Sequence, residues 1–294
     1  MQTILDKIYF DGHTVRINEA DFFDVRAIFE CGQAFRFDKV EGSSHGAEYG
    51  GVANGRYISV AQDADSITVY GCDEADFHNI WRGYFALDED MEGIRHDILS
   101  HSSAPRLAHA AEVGRGIRIL RQDAWEALCS FIISQNNNIP RIKGLIRALC
   151  ERLGEPIDTS HMLAHGTRER EYAFPTPEAV CAAGADVLRE LKTGFRAKYI
   201  YDAACRVCDG RLNLDDVRNA PTAKASEMLQ EVSGVGPKVA ACTLLFGFGK
   251  LDAFPVDVWI RRVIEKYGFD PAALGDFAGL AQQYLFYAER EESK

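Results

Sequence analysis

Residues 233–242 read SGVGPKVAAC, two glycines, a proline and a lysine set directly ahead of an apolar helical run. Glycine lets a chain turn tightly, and Pro237 suits the first position of the helix that follows. Upstream, residues 226–231 carry a helical pattern, and Val239 to Leu245 continue it beyond the turn. The spacing therefore predicts a helix, tight turn, helix unit at about 226–245. In such a hairpin Gly234 and Gly236 admit a phosphate and the amides that open the second helix face it, a contact blind to base sequence. Lys238 then has two readings: it adds charge to a phosphate site, or its amine attacks a substrate. GVGPK alone favours the first.

Asp257 shifts the balance. It stands 19 residues beyond Lys238, in FPVDVW, where Pro255 and Val256 set an extended entry to a helix with Ile260, Val263, Ile264 and Tyr267 on one face and Gly268 as its stop. Its plain reading is an N-cap. A carboxylate at a helix N-terminus is stabilised as the anion, so capping and chemistry are compatible. A lysine amine and a fixed carboxylate facing one cleft can cleave an N-glycosidic bond. The carboxylate steadies the cationic sugar as the base departs, and the amine, in its neutral form, attacks the anomeric carbon to leave a Schiff base.

The rest of the chain gives this hairpin its setting. Strand-like VANGRYISV (52–60) and SITVY (66–70), with the hairpin signal Asn54-Gly55, mark the first hundred residues as β-rich. Helical patterning follows. Trp125, Leu128, Cys129 and Ile132 form a stripe capped by Asp123, the pattern breaks at SQNNNIPR, and Ile142, Leu145, Ile146 and Leu149 resume it. A loop with two prolines (167–180) precedes a helix bearing Val187, Leu188 and Leu191. The fold class is α+β, mostly α: an N-terminal antiparallel β-rich domain (1–112) and a helical body (113–294) that contains the helix-hairpin-helix.

Composition bounds the function. The chain has 294 residues, 47% hydrophobic and 26% charged, with a formal net charge of −11. That balance argues against an overall polyanion binder, because phosphates are neutralised by Lys and Arg. It leaves room for a local basic face, and RELKTGFRAKY (189–199) concentrates Arg189, Lys192, Arg196 and Lys198 against Glu190. No apolar run approaches the roughly 20 residues that span a bilayer, and the opening MQTILDKIYFDGH lacks signal-peptide order. Eight scattered cysteines read as reduced. Cys205-Arg-Val-Cys208 lacks two further ligands at short spacing, so it reads as a helix turn rather than a metal half-site. No metal and no cofactor are expected.

GVGPKVAAC followed by PVDVW resembles the hairpin, Gly/Pro-rich loop and aspartate of the helix-hairpin-helix DNA glycosylase superfamily. CGQAFRF (31–37), YFALD (84–88), GIRILRQDAWEALCSFIISQNNNIPRI (116–142), GFRAKY (194–199) and AQQYLF (281–286) resemble, in order, its 8-oxoguanine DNA glycosylase/AP lyase branch. The resemblance implies a sheet packed on two helical subdomains, with DNA in the cleft and the target nucleotide flipped out of the duplex. It implies Lys238 as nucleophile and Asp257 as its aspartate. Gly32 would accept, through its carbonyl, the extra ring hydrogen of the damaged base. Gln282 would read the pairing edge, and Cys242 and Phe286 would sandwich the ring. Asn136, Arg141 and Arg196 would face the orphaned base, and Phe195, where many relatives have tyrosine, would wedge between bases. Trp259 departs further, since many relatives carry there a histidine that contacts phosphate.

The expected partner is double-stranded DNA containing oxidised guanine, met by a monomer in a prokaryotic cytoplasm, at the nucleoid, with no membrane involved. Two other readings make different demands. A pyrimidine-lesion or adenine-mismatch glycosylase typically carries a C-terminal four-cysteine cluster, and the last cysteine here is Cys242. A DNA-binding protein without chemistry needs neither Asp257 nor a base-sized pocket.

Overall fold

Asn54 and Gly55 both take positive φ, 50° and 68°, the conformation of the two-residue turn that matches the twist of paired strands. They join β4 (Ala47–Ala53) to β5 (Arg56–Asp63), with Ala53 opposite Arg56 and Val52 opposite Tyr57. In this computed structural model the two strands lie inside a six-stranded sheet completed by β1 (Ile8–Asp11), β2 (Thr14–Ile17), β3 (Phe37–Lys39) and β6 (Ser66–Tyr70), ordered β1-β2-β6-β5-β4-β3. Every pairing is antiparallel. Alternation buries Val15, Ile17, Ile58, Val60, Ile67 and Val69 against Phe29, Phe37, Trp81 and Phe85. Helix α1 (Val25–Glu30), capped by Asp24, supplies part of that cover, as does the stretch made of α2 (Glu74–Asp76), the π-helical turn Phe77–Trp81 and α3 (Arg82–Tyr84).

The structure describes residues 7–102, 104–167, 170–268 and 270–293. The first six residues of the segment read for a signal peptide, and residues 168 and 169 of the two-proline loop, lie outside the described residues. Helices α4 (Met91–Ser100) and α5 (Pro105–Val113) precede the expected division after residue 112, yet Ile98, Leu107 and Ala111 sit in the core of the helical body with Tyr284 and Leu285. The physical reason is α14 (Ala278–Glu292), which returns from the C-terminal end to pack on α5.

Helix α6 (Ala124–Ser134) begins at Asp123, whose carboxylate accepts the Glu126 N–H at 2.8 Å. It is buried on all sides rather than along one stripe, with every residue from Ala127 to Ile133 inside. The body continues through α7 (Ile139–Leu153), α8 (Pro177–Glu190), α9 (Ala197–Cys208), α10 (Leu214–Asn219), α11 (Thr222–Gln230), α12 (Pro237–Phe248) and α13 (Val258–Tyr267), of which α7, α9 and α12 pack on α6. The short strands β7 (Pro156–Ile157) and β8 (Glu171–Tyr172) pair between α7 and α8. Among the described residues no helix is long and apolar enough to cross a membrane.

Sheet and body are also tied by a buried carboxylate. Glu48 of β4 is 3% exposed and accepts hydrogen bonds from the hydroxyls of Ser43 and Ser59, the latter at 2.6 Å, and from His165 Nδ1 at 3.0 Å. Burial alone pushes its pKa up, but these donors outweigh it and hold the carboxyl below its ordinary value. A depressed folded pKa stabilises the fold above the unfolded value near 4.5, and that contribution is lost as pH falls through the folded value. Glu48→Gln should cost about 1 to 3 kcal/mol at about pH 6, with the gap to wild type shrinking toward about pH 3. Urea melts across that range check it. A gap independent of pH contradicts the assignment.

Candidate active site

Gly234 turns at φ +77°, and a side chain there would overlap the ring of Tyr199 on α9. Both constraints require glycine. Gly236 differs: its φ of −97° suits any residue, and a Cβ would meet nothing within 4 Å. Its place as N-cap of α12, with Pro237 next, leaves the first amides of the helix with no side-chain cap. Those uncovered donors form an anion-binding end.

Lys238 is the second residue of α12 and half-buried, its Nζ 5.7 Å from the centroid of the Phe131 ring of α6. One turn on, burial pushes the Cys242 thiol up to about 11, with Lys238 opposing and Asp257 adding to the shift. The thiol is therefore neutral near pH 7. Asp257 caps α13, its Oδ1 accepting the Ile260 N–H at 2.8 Å. Among the described residues it forms no direct ion pair with Lys238, so neither group neutralises the other.

All six residues expected to do chemistry or hold the base line one cavity of about 150 Å³: Lys238, Asp257, Gly32, Cys242, Gln282 and Phe286. Phe35, Phe131 and Phe246 give it aromatic walls. Gly32 takes φ +81°, and a Cβ there would lie 3.6 Å from Phe286 Cε1 and 3.7 Å from the Arg290 guanidinium. Glycine is needed for the backbone conformation more than for space. Gln282 and Phe286 stand one turn apart on α14.

Three residues of this assembly were not singled out in the sequence. Gln33 is fully buried and makes a bond with each polar atom it has to offer inward: Nε2 donates to the carbonyls of Ile28 (3.0 Å) and Arg118 (2.9 Å), and Oε1 accepts the Leu120 N–H at 2.9 Å. Its own carbonyl takes the Gln122 side chain at 2.7 Å. Gly32 is thus fixed by its neighbour to the segment that leads into α6. Gln283 donates to Gln282 Oε1 at 3.0 Å and orients that amide. Phe131 lies under the lysine amine. A buried glutamine between apolar residues was the available signal for Gln33.

The remaining expected contacts lie along one connected path. Asn136 is exposed with φ +47°, Asn138 caps α7 through a bond from the Arg141 N–H, and Arg141 is exposed on the first turn. Phe195 is 48% exposed, an uncovered aromatic ring. Arg196, expected beside Arg141 at the orphaned base, is instead 3% exposed. Its guanidinium donates to the carbonyls of Gln135, Asn136 (3.0 Å) and Thr193 (3.3 Å) and lies over the Phe195 ring, 4.4 Å to the centroid. Burial, with the positive charge of Arg141 adding, pulls its pKa down. Arg196 holds the asparagine turn from behind because three carbonyls converge where the sequence showed only a basic run. Trp259 carries Arg262 over its ring at 5.4 Å, so a cation stands beside the position where many relatives have histidine.

Known proteins are similar to this chain in sequence and fold. The model of the 8-oxoguanine DNA glycosylase N-terminal domain matches residues 14–128, and that of the HhH-GPD superfamily base excision DNA repair protein matches residues 129–273. The 8-oxoguanine glycosylase/lyase of Clostridium acetobutylicum, solved with double-stranded DNA containing cytosine opposite 8-oxoG, is 34% identical, with a TM-score of 0.88 over 98% of this chain and 99% of that one. The N-glycosylase/DNA lyase of Saccharomyces cerevisiae is 30% identical over 259 residues, 81% of this chain, which spans 66% of the yeast protein's length. A probable N-glycosylase/DNA lyase of Methanothermobacter thermautotrophicus is 29% identical, over 69% of this chain and 71% of that protein. Matched in both halves and along nearly its whole length, the chain belongs to the 8-oxoguanine DNA glycosylase family.

Proposed function

We propose that this chain is a bifunctional repair enzyme that flips 8-oxoguanine out of duplex DNA, excises it through a Schiff base on Lys238, and nicks the abasic site. The observation that carries the reading is the single cavity in which a lysine amine and an unpaired carboxylate share walls with a glycine carbonyl segment, a buried glutamine and an aromatic ring. The relatives named as glycosylase/lyases support it.

Each group has a step that its surroundings suit. The flipped base slides between the neutral Cys242 thiol and Phe286, with Gln282 against its pairing edge. Guanine presents a lone pair at the imidazole-ring nitrogen, whereas the oxidised base presents a hydrogen there, which the Gly32 carbonyl can accept. As the bond from sugar to base breaks, its electron pair leaves with the base, which takes up a proton. Asp257 faces the cationic sugar, and the Lys238 nitrogen forms the new bond to the anomeric carbon. The bonded nitrogen then gives up one of its two protons, and the ring oxygen takes up a proton and leaves as the C4′ hydroxyl. The iminium that results keeps the other N–H, and removal of a proton from the neighbouring carbon then expels the 3′ phosphate by β-elimination. Little charge is screened in so apolar a site, which strengthens the effect of the carboxylate.

On the DNA side, Gly234 and Gly236 with the open end of α12 hold a phosphate of either sequence context. Phe195 wedges into the stack. Arg141 supplies the donors for the two acceptors that cytosine exposes once its partner leaves, with Asn136 facing the same base, while Arg196 keeps the turn in place. We further infer a monomer acting on the nucleoid in a prokaryotic cytoplasm; the source organisms of the Clostridium and Methanothermobacter relatives support the prokaryotic part of that reading.

Borohydride should trap wild-type protein covalently on duplex DNA carrying one 8-oxoguanine, and Lys238→Gln should bind the same duplex without trapping. Trapping by that variant removes Lys238 from the mechanism. Asp257→Asn should slow single-turnover excision by roughly 10²-fold or more while leaving the melting temperature close to wild type, because Asn also caps helices. Unchanged excision reduces Asp257 to a cap. Wild type should prefer cytosine to adenine opposite the lesion by about 10 to 100-fold, and Arg141→Ala should narrow that gap by losing activity on the cytosine duplex. Equal slowing on all four opposite bases makes Arg141 a phosphate clamp.

A further inference from the structure

The pair Cys205-Arg-Val-Cys208, which the repair chemistry does not use, has a third thiol against it. Cys181, on α8, brings its Sγ to 2.8 Å from Sγ of Cys205 on the facing helix α9. That is about 0.8 Å longer than a covalent S–S bond of roughly 2.0 Å. Cys181 and Cys205 are partly exposed and Cys208 is exposed, whereas Cys31, Cys72, Cys129, Cys150 and Cys242 are all buried. Access and proximity therefore coincide at one place among the described cysteines. Two thiols at this separation can be joined by a two-electron oxidation.

We propose that Cys181 and Cys205 form a peroxide-oxidisable thiol pair that closes reversibly to a disulfide joining α8 to α9. Hydrogen peroxide is the oxidant. The Cys205 sulfur attacks one peroxide oxygen as its proton is released; the O–O bond breaks, the sulfur becomes a sulfenic acid, and the hydroxide that leaves takes up the released proton as one water. The Cys181 sulfur then attacks the sulfenyl sulfur, the S–S bond forms, the S–O bond breaks, and hydroxide leaves with the thiol proton as a second water. Two thiols lose two electrons in all and one peroxide gains them. The distance already in place removes the need for backbone movement that separates most cysteine pairs from a disulfide.

The place of the bond gives it a consequence. Cys181 lies near the start of α8, just ahead of Gly184, whose φ of +79° and ψ of 166° break the helix, and Cys205 lies near the end of α9. A bond between them closes the open end of a hairpin whose tip carries Thr193, Phe195 and Arg196, the residues that hold the asparagine turn and present the uncovered ring. Oxidation thus staples the support of the DNA-facing tip, in an enzyme whose substrate arises from the same class of oxidant. The thiol geometry stands whether or not the repair reading holds.

The test uses the full chain, reduced, desalted and treated with hydrogen peroxide under native conditions, with remaining thiols blocked by N-ethylmaleimide before digestion and mass mapping. The expected result is a loss of about 2 Da and one linked peptide joining Cys181 to Cys205, both reversed by dithiothreitol. Cys208→Ser, at an exposed position, should form the same link. Cys181 recovered as a blocked thiol or as a sulfinic acid, a link from Cys181 to Cys208 in place of Cys205, or loss of the link in Cys208→Ser, overturns the proposal.

Discussion

One buried amide holds the two halves of the site in register. Gln33 belongs to the segment between α1 and β3, yet its side chain bonds to the main chain of Arg118 and Leu120, the extended run that enters α6. Fully desolvated, each of those groups would cost about 1 to 3 kcal/mol if left without its partner. The immediate neighbour of Gln33 is Gly32, the only expected base contact that lies on the N-terminal part of the chain. Lys238, Asp257, Gln282 and Phe286 all come from the helical body. The groups assigned to base recognition therefore meet across a seam, and the seam depends on a closed set of hydrogen bonds.

Within the body, different forces position the reacting groups. Lys238 is placed by backbone geometry: a glycine turn that tolerates no side chain, then a helix whose first proline fixes the lysine one residue in. Asp257 is placed by the hydrogen bond that makes it a cap. Neither position relies on attraction between the two charges, which keeps both available to a substrate. Four aromatic rings, Phe35, Phe131, Phe246 and Phe286, line the same cavity.

Much of this was legible in the sequence because it is local. The Asn54-Gly55 turn, the caps at Asp123 and Asp257, and the hairpin at Gly234 and Gly236 are each decided by a few consecutive residues. What was not legible is long-range or carried by the main chain. The role proposed for Gly32 rests on a carbonyl that every residue has, so no letter marks it. Arg196 sits in a run of basic residues and reads as surface charge, whereas the fold turns it inward onto the carbonyls of Gln135, Asn136 and Thr193. The thiol of Cys181 has no relation in sequence to Cys205, and only the packing of α8 on α9 brings the two together. Helices α4 and α5 read with the sheet by position, but α14 draws them into the body.

On the proposed reading, base recognition runs through the seam while the lysine chemistry belongs to the body alone. The measurement that tests it most directly is to replace Gln33 with methionine, which keeps length but not hydrogen bonds, and to compare two single-turnover rates. Excision of 8-oxoguanine opposite cytosine should fall by about 10 to 100-fold, the order set by losing one or two buried hydrogen bonds. Nicking of a preformed abasic site, which needs Lys238 without the base contacts, should stay within about threefold of wild type. Equal loss of both rates, or loss of neither, contradicts the account.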